Sequence, residues 1–369
     1  MKIYKSQNVF DAALDRIRFF FDEFDDVVIG MSGGKDSTVT FNLAMIVAKE
    51  KHRLPLKVLF LDQEIEWQHV IDYIKTVMYR PDVDPLWVQV PFDMPNSTST
   101  TKHWLECWKE GDTWMRDREP IARTENIYGK TKFYDMFNGI MDVEHDGRKC
   151  CLLGGVRTEE SPGRFGGLTN SATYKWITYG KVLNKKKEQY TFYPIYDWSY
   201  TDVWKAINDN DWDYCKIYDF MHRYGVATKD MRVSNLHHET SVRWMFILQE
   251  VEPETYEKAV QRLPGLDMAA KMGKDDYFVR KLPFMFASWE EYRDYLLDKL
   301  ITNEKWKAGF QKMFKKLDSI YLNELGDKLY KTEISSILTN DFEYTKLKNF
   351  ESRPEMQRVK KRALGVELW

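Results

Sequence analysis

"VVIGMSGGKDSTVTF", residues 27–41, is the stretch on which the fold turns. It starts as an apolar run, passes through Ser32-Gly33-Gly34, and continues with helical character from Lys35 onward. A buried strand, a glycine turn and a helix start, in that order, predict an anion site. Free N–H groups and the positive end of the helix dipole meet there. Gly33 and Gly34 let the backbone turn sharply and approach a ligand closely. Ser32 and Ser37 add hydroxyl donors, and Lys35 adds positive charge to a nest of phosphate size. Two familiar loops are excluded by the residues themselves. A Walker A loop needs Gly five places before Gly34 and a hydroxyl residue after Lys35, but Ile29 and Asp36 stand there. The stretch does not fit the dinucleotide pattern G-x-G-x-x-G either.

Working outward, residues 26–31, 56–62, 84–92 and 149–156 read as buried strands, and 36–51, 66–80, 133–144 and 199–210 as helices. Apolar strands separated by amphipathic helices imply a parallel sheet covered on both faces, with right-handed crossovers. Residues 173–198 read as a hairpin with a lysine-rich tip, and 93–130 as a long irregular stretch. From about 240 onward the pattern is helical. The expected fold class is therefore α/β, a doubly wound, mostly parallel sheet with an α-helical C-terminal extension. The expected domains are 1–245, binding nucleotide, and 246–369, helical.

A chain of 369 residues exceeds what one compact core usually needs, in keeping with two domains. Net charge is −2, so no global basic field demands or excludes a nucleic-acid partner. Residues 301–369 carry 14 Lys and Arg against 10 Asp and Glu, which fits a solvated helical face or a nucleic-acid contact. No apolar run approaches a membrane span and the N-terminus has no signal-peptide core, so no membrane contact and a cytoplasmic location are expected. Cys107, Cys150, Cys151 and Cys215 include no CxxC pair, so neither a zinc ribbon nor an iron–sulfur cluster has its usual spacing.

The hexapeptide Ser32-Gly33-Gly34-Lys35-Asp36-Ser37 resembles the S-G-G-x-D-S loop of the PP-loop superfamily, which includes N-type ATP pyrophosphatases and phosphoadenosine phosphosulfate (PAPS) reductases. Three later stretches are similar to motifs of that family, in its order. In "VLFLDQEIEW" (58–67), Asp62 and Glu64 match positions where the resemblance implies nucleoside contact. "LLGGVRTEESPGRFG" (152–166) looks like G-x-R-x-x-E-S-x-x-R, filled by Gly155, Arg157, Glu160, Ser161 and Arg164. Arginine suits bidentate contact with phosphate or sulfate. "YPIYDWSYTDVWKAI" (193–207) is similar to a further motif, in which Asp197, Trp198, Asp202 and Trp204 read mainly as structural.

The resemblance covers roughly 20–245 and implies ATP or PAPS as substrate. Lys35, Asp36, Arg157 and Arg164 are the expected catalytic residues. Ser32, Gly33, Gly34, Ser37, Asp62, Glu64, Gly155, Glu160 and Ser161 complete the expected nucleotide site. Asp36 is expected to help hold Mg²⁺ through water. The helical tail resembles immunoglobulin-binding-regulator-type members, which implies a ParB-like protein partner. The chain departs from PAPS reductases in one respect. Those enzymes use a cysteine near the C-terminus, and no cysteine follows Cys215 here. Cys150-Cys151 sits in an apolar strand, as small buried residues do. Adenylylation with pyrophosphate release, or sulfur-group transfer, is the favoured chemistry. A reductase with an atypical thiol and a nucleotide-sensing regulator are the alternatives. Arg232, His237, His238 and Arg243 form a further polar stretch that reads as substrate-facing, metal-binding or plainly structural.

Overall fold

A computed structural model describes residues 6–99, 102, 104–233, 235–238, 241, 244–263, 265–267 and 281–365. The apolar run before the glycine loop forms β1 (Asp26–Gly30) at the middle of a six-stranded sheet. The following residues form α2 (Lys35–Glu50), preceded by α1 (Val9–Glu23). Buried Ala13, Leu14, Ile17, Phe20 and Phe21 recur at helical spacing along α1, which is why that segment folds as a helix against the sheet. Next come β2 (Leu56–Leu61), α3 (Gln68–Met78) and β3 (Val83–Val88). After a long connection holding α4 (Phe133–Glu144), the chain re-enters the sheet as β6 (Cys150–Leu153). That connection also carries the two-stranded sheet β4 (Phe92–Pro95) and β5 (Trp104–Cys107).

Strand order in the large sheet is β3-β2-β1-β6-β8-β7, with β7 at Gly180–Asn184 and β8 at Gln189–Phe192. All neighbours are parallel except β7 and β8. The order reverses between β1 and β6, so the carboxyl ends of these two strands frame a switch-point crevice, where open α/β sheets bind ligands. The expected α/β class and mostly parallel sheet are what the structure has. Residues 185–188, Lys-Lys-Lys-Glu, form the hairpin tip between β7 and β8. The expected strand over 84–92 is shorter than the apolar run. It stops at Val88, because Gln89 turns its amide to Arg123 and Pro91 lacks a donor for the ladder.

Beyond the sheet come α5 (Pro162–Thr169), α6 (Tyr200–Asp209) and α7 (Ile217–Arg223). The Asp197, Trp198 and Asp202 motif holds elements in place. Asp197 pairs with both Nη atoms of Arg16 on α1, and Trp198 Nε1 donates to Val9 O at 3.0 Å. Asp202 and Ser199 cap α6 reciprocally.

The chain divides into two compact units: residues 1–94 with 106–235, and residues 95–105 with 236–369. The sequence reading draws one boundary at 245/246. It does not see that a short stretch of the irregular loop joins the second core, because a change of period does not reveal which core a loop packs into. The second unit is helical, with α8 (Met245–Val251), α9 (Pro253–Arg262), α10 (Trp289–Leu300), α11 (Glu304–Leu325), α12 (Asp327–Leu338), α13 (Thr345–Glu351) and α14 (Pro354–Ala363). Phe310, Leu317, Tyr321, Leu329 and Phe350 are among its core. No helix among the described residues is long and apolar enough to cross a membrane.

Candidate functional site

The loop after β1 is built around its glycines. Gly33 has φ of +71°, and a Cβ there would stand 2.8 Å from Val70 Cγ1 on α3. Gly34 is the N-cap of α2 and offers no side-chain cap. The Ser32 amide donates to Ser37 Oγ at 3.2 Å, the two hydroxyls lie 3.1 Å apart, and Ser37 Oγ donates to Gly34 O. The loop is thus closed by its own serines. A second loop, after β6, presses onto it. A Cβ on Gly155 would fall 2.5 Å from the Asp36 carbonyl carbon and 2.6 Å from Ser37 N, so only glycine fits.

Charged groups connect the two loops. Arg157 is 5% exposed, and its Nε donates to Asp36 Oδ1 at 2.5 Å. Lys35 is buried, with Nζ donating to Met231 O at 2.8 Å and lying 3.6 Å from Asp36 Oδ2. Burial first, then Arg157 and Arg232, push the Lys35 pKa down, against the pull of Asp36. The Arg157 amide donates to Glu160 Oε1 at 3.2 Å. The other Glu160 oxygen takes both Arg164 and Arg232, the latter at 3.1 Å. Burial and the neighbouring Arg232 push the Arg164 pKa down. Arg157 Nη1 also donates to Glu159 Oε2 at 3.3 Å, so four cations, Lys35, Arg157, Arg164 and Arg232, meet three carboxylates, Asp36, Glu159 and Glu160. Excess positive charge at a helix N-terminus is an anion receptor.

Several expected residues have narrower parts than the sequence suggests. Ser161 is the N-cap of α5, accepting from the Arg164 amide at 3.2 Å. Asp62 is fully buried, and its oxygens accept from the Glu64 amide, Trp87 Nε1, Gln89 Nε2 and Arg116 Nη2. None of these donors belongs to the glycine loop. Glu64, fully buried with φ of +64°, accepts from the Trp108 amide at 2.7 Å. Both carboxylates thus hold the end of β2 to the 108–116 segment. Beside them, burial and Asp62 push the Glu66 carboxyl up to about 8.

Asp36 is equally committed, to Arg157 and Lys35. Among the described residues no group of three or more His, Cys, Asp or Glu stands together as a metal seat. The side chains present do not fit the expected Mg²⁺ site, because the one carboxylate assigned to it already neutralises an arginine. The polar stretch after 231 is split. Arg232 belongs to the first unit and reaches Glu160, whereas His237 belongs to the second. His237 is fully buried with both ring nitrogens unpartnered among the described residues, and burial pushes its pKa down to about 3. Arg243 lies outside the described residues.

Sequence reasoning missed Tyr218. This fully buried phenol accepts the Lys35 amide at 3.0 Å and also the Val233 amide, and Lys35 Nζ lies 5.3 Å from its ring centre. Only a tyrosine on a short amphipathic helix hinted at it. The four cysteines are all fully buried, and Cys107 Sγ donates to Gln63 O at 3.0 Å. Burial pushes Cys150 up to about 12 and Cys151 well above its ordinary value.

The Escherichia coli (strain K12) protein named Uncharacterized protein YbdN is 24% identical to this chain over 322 residues, covering 81% of this chain and 78% of that one. Among solved structures, FMN adenylyltransferase of Candida glabrata aligns at 12% identity and a TM-score of 0.36, covering 59% of this chain and 62% of that one. The chain thus spans less than two thirds of that enzyme's length. The phosphate complex of PAPS reductase from Candida auris aligns at 15% identity and a TM-score of 0.34, covering 64% of this chain and 98% of that one. A family model for a domain of unknown function (DUF3440) matches residues 225–364. The model of the phosphoadenosine phosphosulfate reductase domain matches residues 26–224, more than half of the sequence, and the chain belongs to that family.

Proposed function

We propose that the first unit binds an adenine nucleotide, ATP or PAPS, with its anionic end on the loop Ser32–Ser37, and catalyses transfer at the α-phosphate. An acceptor oxygen attacks that phosphorus, the bond to the bridging oxygen breaks, and the leaving group, pyrophosphate from ATP or sulfate from PAPS, departs with the electron pair. Such a step needs charge stabilisation more than a protein nucleophile. The observation that carries the reading is the surplus of cations around the loop: Lys35, Arg157, Arg164 and Arg232 against Asp36, Glu159 and Glu160. Burial of every cysteine supports it over a thiol-dependent reduction, since an enclosed sulfur is out of a substrate's reach and, at Cys150 and Cys151, is held protonated.

Incubation with ATP, and separately with PAPS, followed by mass analysis of the products, tests the proposal. Pyrophosphate release and an adenylylated acceptor are expected, with both lost in Lys35→Ala. Failure of the chain to bind any adenine nucleotide ends this reading. Sulfite release from PAPS with thioredoxin, abolished by Cys215→Ser, replaces it with the reductase.

A further inference from the structure

Arg232 lies outside the 26–224 match to the reductase domain, yet its segment is built into the anion site. Met231 O receives Lys35 Nζ, and the Val233 amide donates to Tyr218, the residue that caps the start of α2. Between them, Arg232 puts Nη2 on Glu160 Oε2 at 3.1 Å. Arg164 binds the same oxygen. One negative charge thus answers two positive ones. Arg157 is enclosed and committed to Asp36 and Glu159, but the Arg164 and Arg232 side chains remain 42% and 40% exposed. A guanidinium carries five N–H donors in a planar fork, so each arginine has donors to spare for a ligand. Two like charges held together by one shared carboxylate gain from a second anion placed between them.

We propose that Arg164 and Arg232 form a clamp for the terminal phosphate or sulfate of the bound nucleotide, with Glu160 spacing the two guanidiniums. The clamp rests on the reading that this unit binds an adenine nucleotide. It assigns a ligand contact to a residue of the segment matching the domain of unknown function. Phosphate and sulfate share the chemistry, and the two nucleotides separate them.

Calorimetric titration of the full chain with ATP, PAPS, AMP and inorganic pyrophosphate tests it, in the wild type, Arg232→Gln and Arg232→Lys. The expected result for Arg232→Gln is an affinity loss of about tenfold or more for ATP or PAPS, whichever carries the clamped group, and for pyrophosphate. AMP, which lacks a terminal group, should lose less than about twofold. Arg232→Lys should recover part of the loss, because it restores charge without the fork. Wild-type affinity of Arg232→Gln for every ligand overturns the clamp, as does an equal loss for AMP, which marks a general structural defect. Pyrophosphate binding that depends on Arg232, with no nucleotide bound, keeps the clamp and removes the nucleotide reading. A wild type that binds none of the four removes both.

Discussion

At the scale of single residues, the site depends on atoms that are absent. Gly155 lets the loop after β6 lie against the first peptides of α2, where a methyl group would meet backbone at 2.5–2.6 Å. Backbone cannot swing aside as a side-chain tip can, so Gly155→Ala must separate the loops that carry Arg157 and Asp36. Overpacking of this kind typically costs about 1–3 kcal/mol. We expect Gly155→Ala to lower the melting temperature and to abolish any stabilisation by ATP in a thermal-shift titration. Gly167 is the control. A Cβ there meets nothing within 4 Å, so Gly167→Ala on α5 should be neutral or stabilise by about 0.5–1 kcal/mol. Equal responses of the two variants would refute the packing argument. Gly155 was legible in the sequence because it sits inside a motif, although its reason, a clash with Asp36 more than a hundred residues earlier, was not. Asp62 shows the reverse. Its motif suggests a ligand contact, whereas Trp87, Gln89 and Arg116 consume its oxygens. Cross-strand hydrogen bonds have no periodicity to read.

At the scale of elements, apolar runs located β1, β2 and β6 because a parallel strand buried on both faces is a short continuous hydrophobic word. The 3.6-residue stripe located α3 in the same way. Local pattern could not say what completes α2. Its N-cap, Gly34, has no side chain, and the first amide, Lys35 N, is satisfied by Tyr218 from 183 residues away. The start of the helix at the heart of the site is therefore a tertiary feature. Tyr218→Phe leaves the ring stacked edge-on against Trp204 but removes the acceptor for the Lys35 and Val233 amides. A buried amide left without a partner costs about 1–3 kcal/mol. The variant should fold, melt at lower temperature, and bind ATP more weakly, because the loop and the 231–233 segment lose a shared anchor. Unchanged affinity with a lowered melting point would mean that Tyr218 supports the fold and not the ligand loop.

At the scale of the whole molecule, the two units use charge in opposite ways. The first gathers surplus cations where an anion can reach them. The second encloses surplus carboxylate in a helical core. Arg293 on α10 is buried and sits beside Asp294, 3.0 Å from Asp318 and 2.9 Å from Glu333. Tyr330 and Phe314 flank its guanidinium at 4.8 and 5.6 Å. With Glu290 at 3.9 Å, one cation thus faces four carboxylates, and the deepest, Glu333, is fully buried with Oε1 unpartnered among the described residues. Burial, with Asp318 and Asp294, outweighs the help of Arg293 and pushes Glu333 up to about 8. Between its ordinary value of 4.5 and about 8, the folded chain keeps a proton that the unfolded chain has released. Stability therefore falls as pH rises through that window. Glu333→Gln keeps the shape and stays neutral throughout. It should remove the fall, leaving the variant more stable than the wild type near pH 8 by on the order of 2–4 kcal/mol. Thermal denaturation of the full chain from pH 5 to 8 reads this directly: the wild-type melting temperature should drop relative to the variant as pH rises. Parallel profiles would mean that Glu333 is ionised alongside Arg293 across the whole range, with the pair holding its charge inside the core.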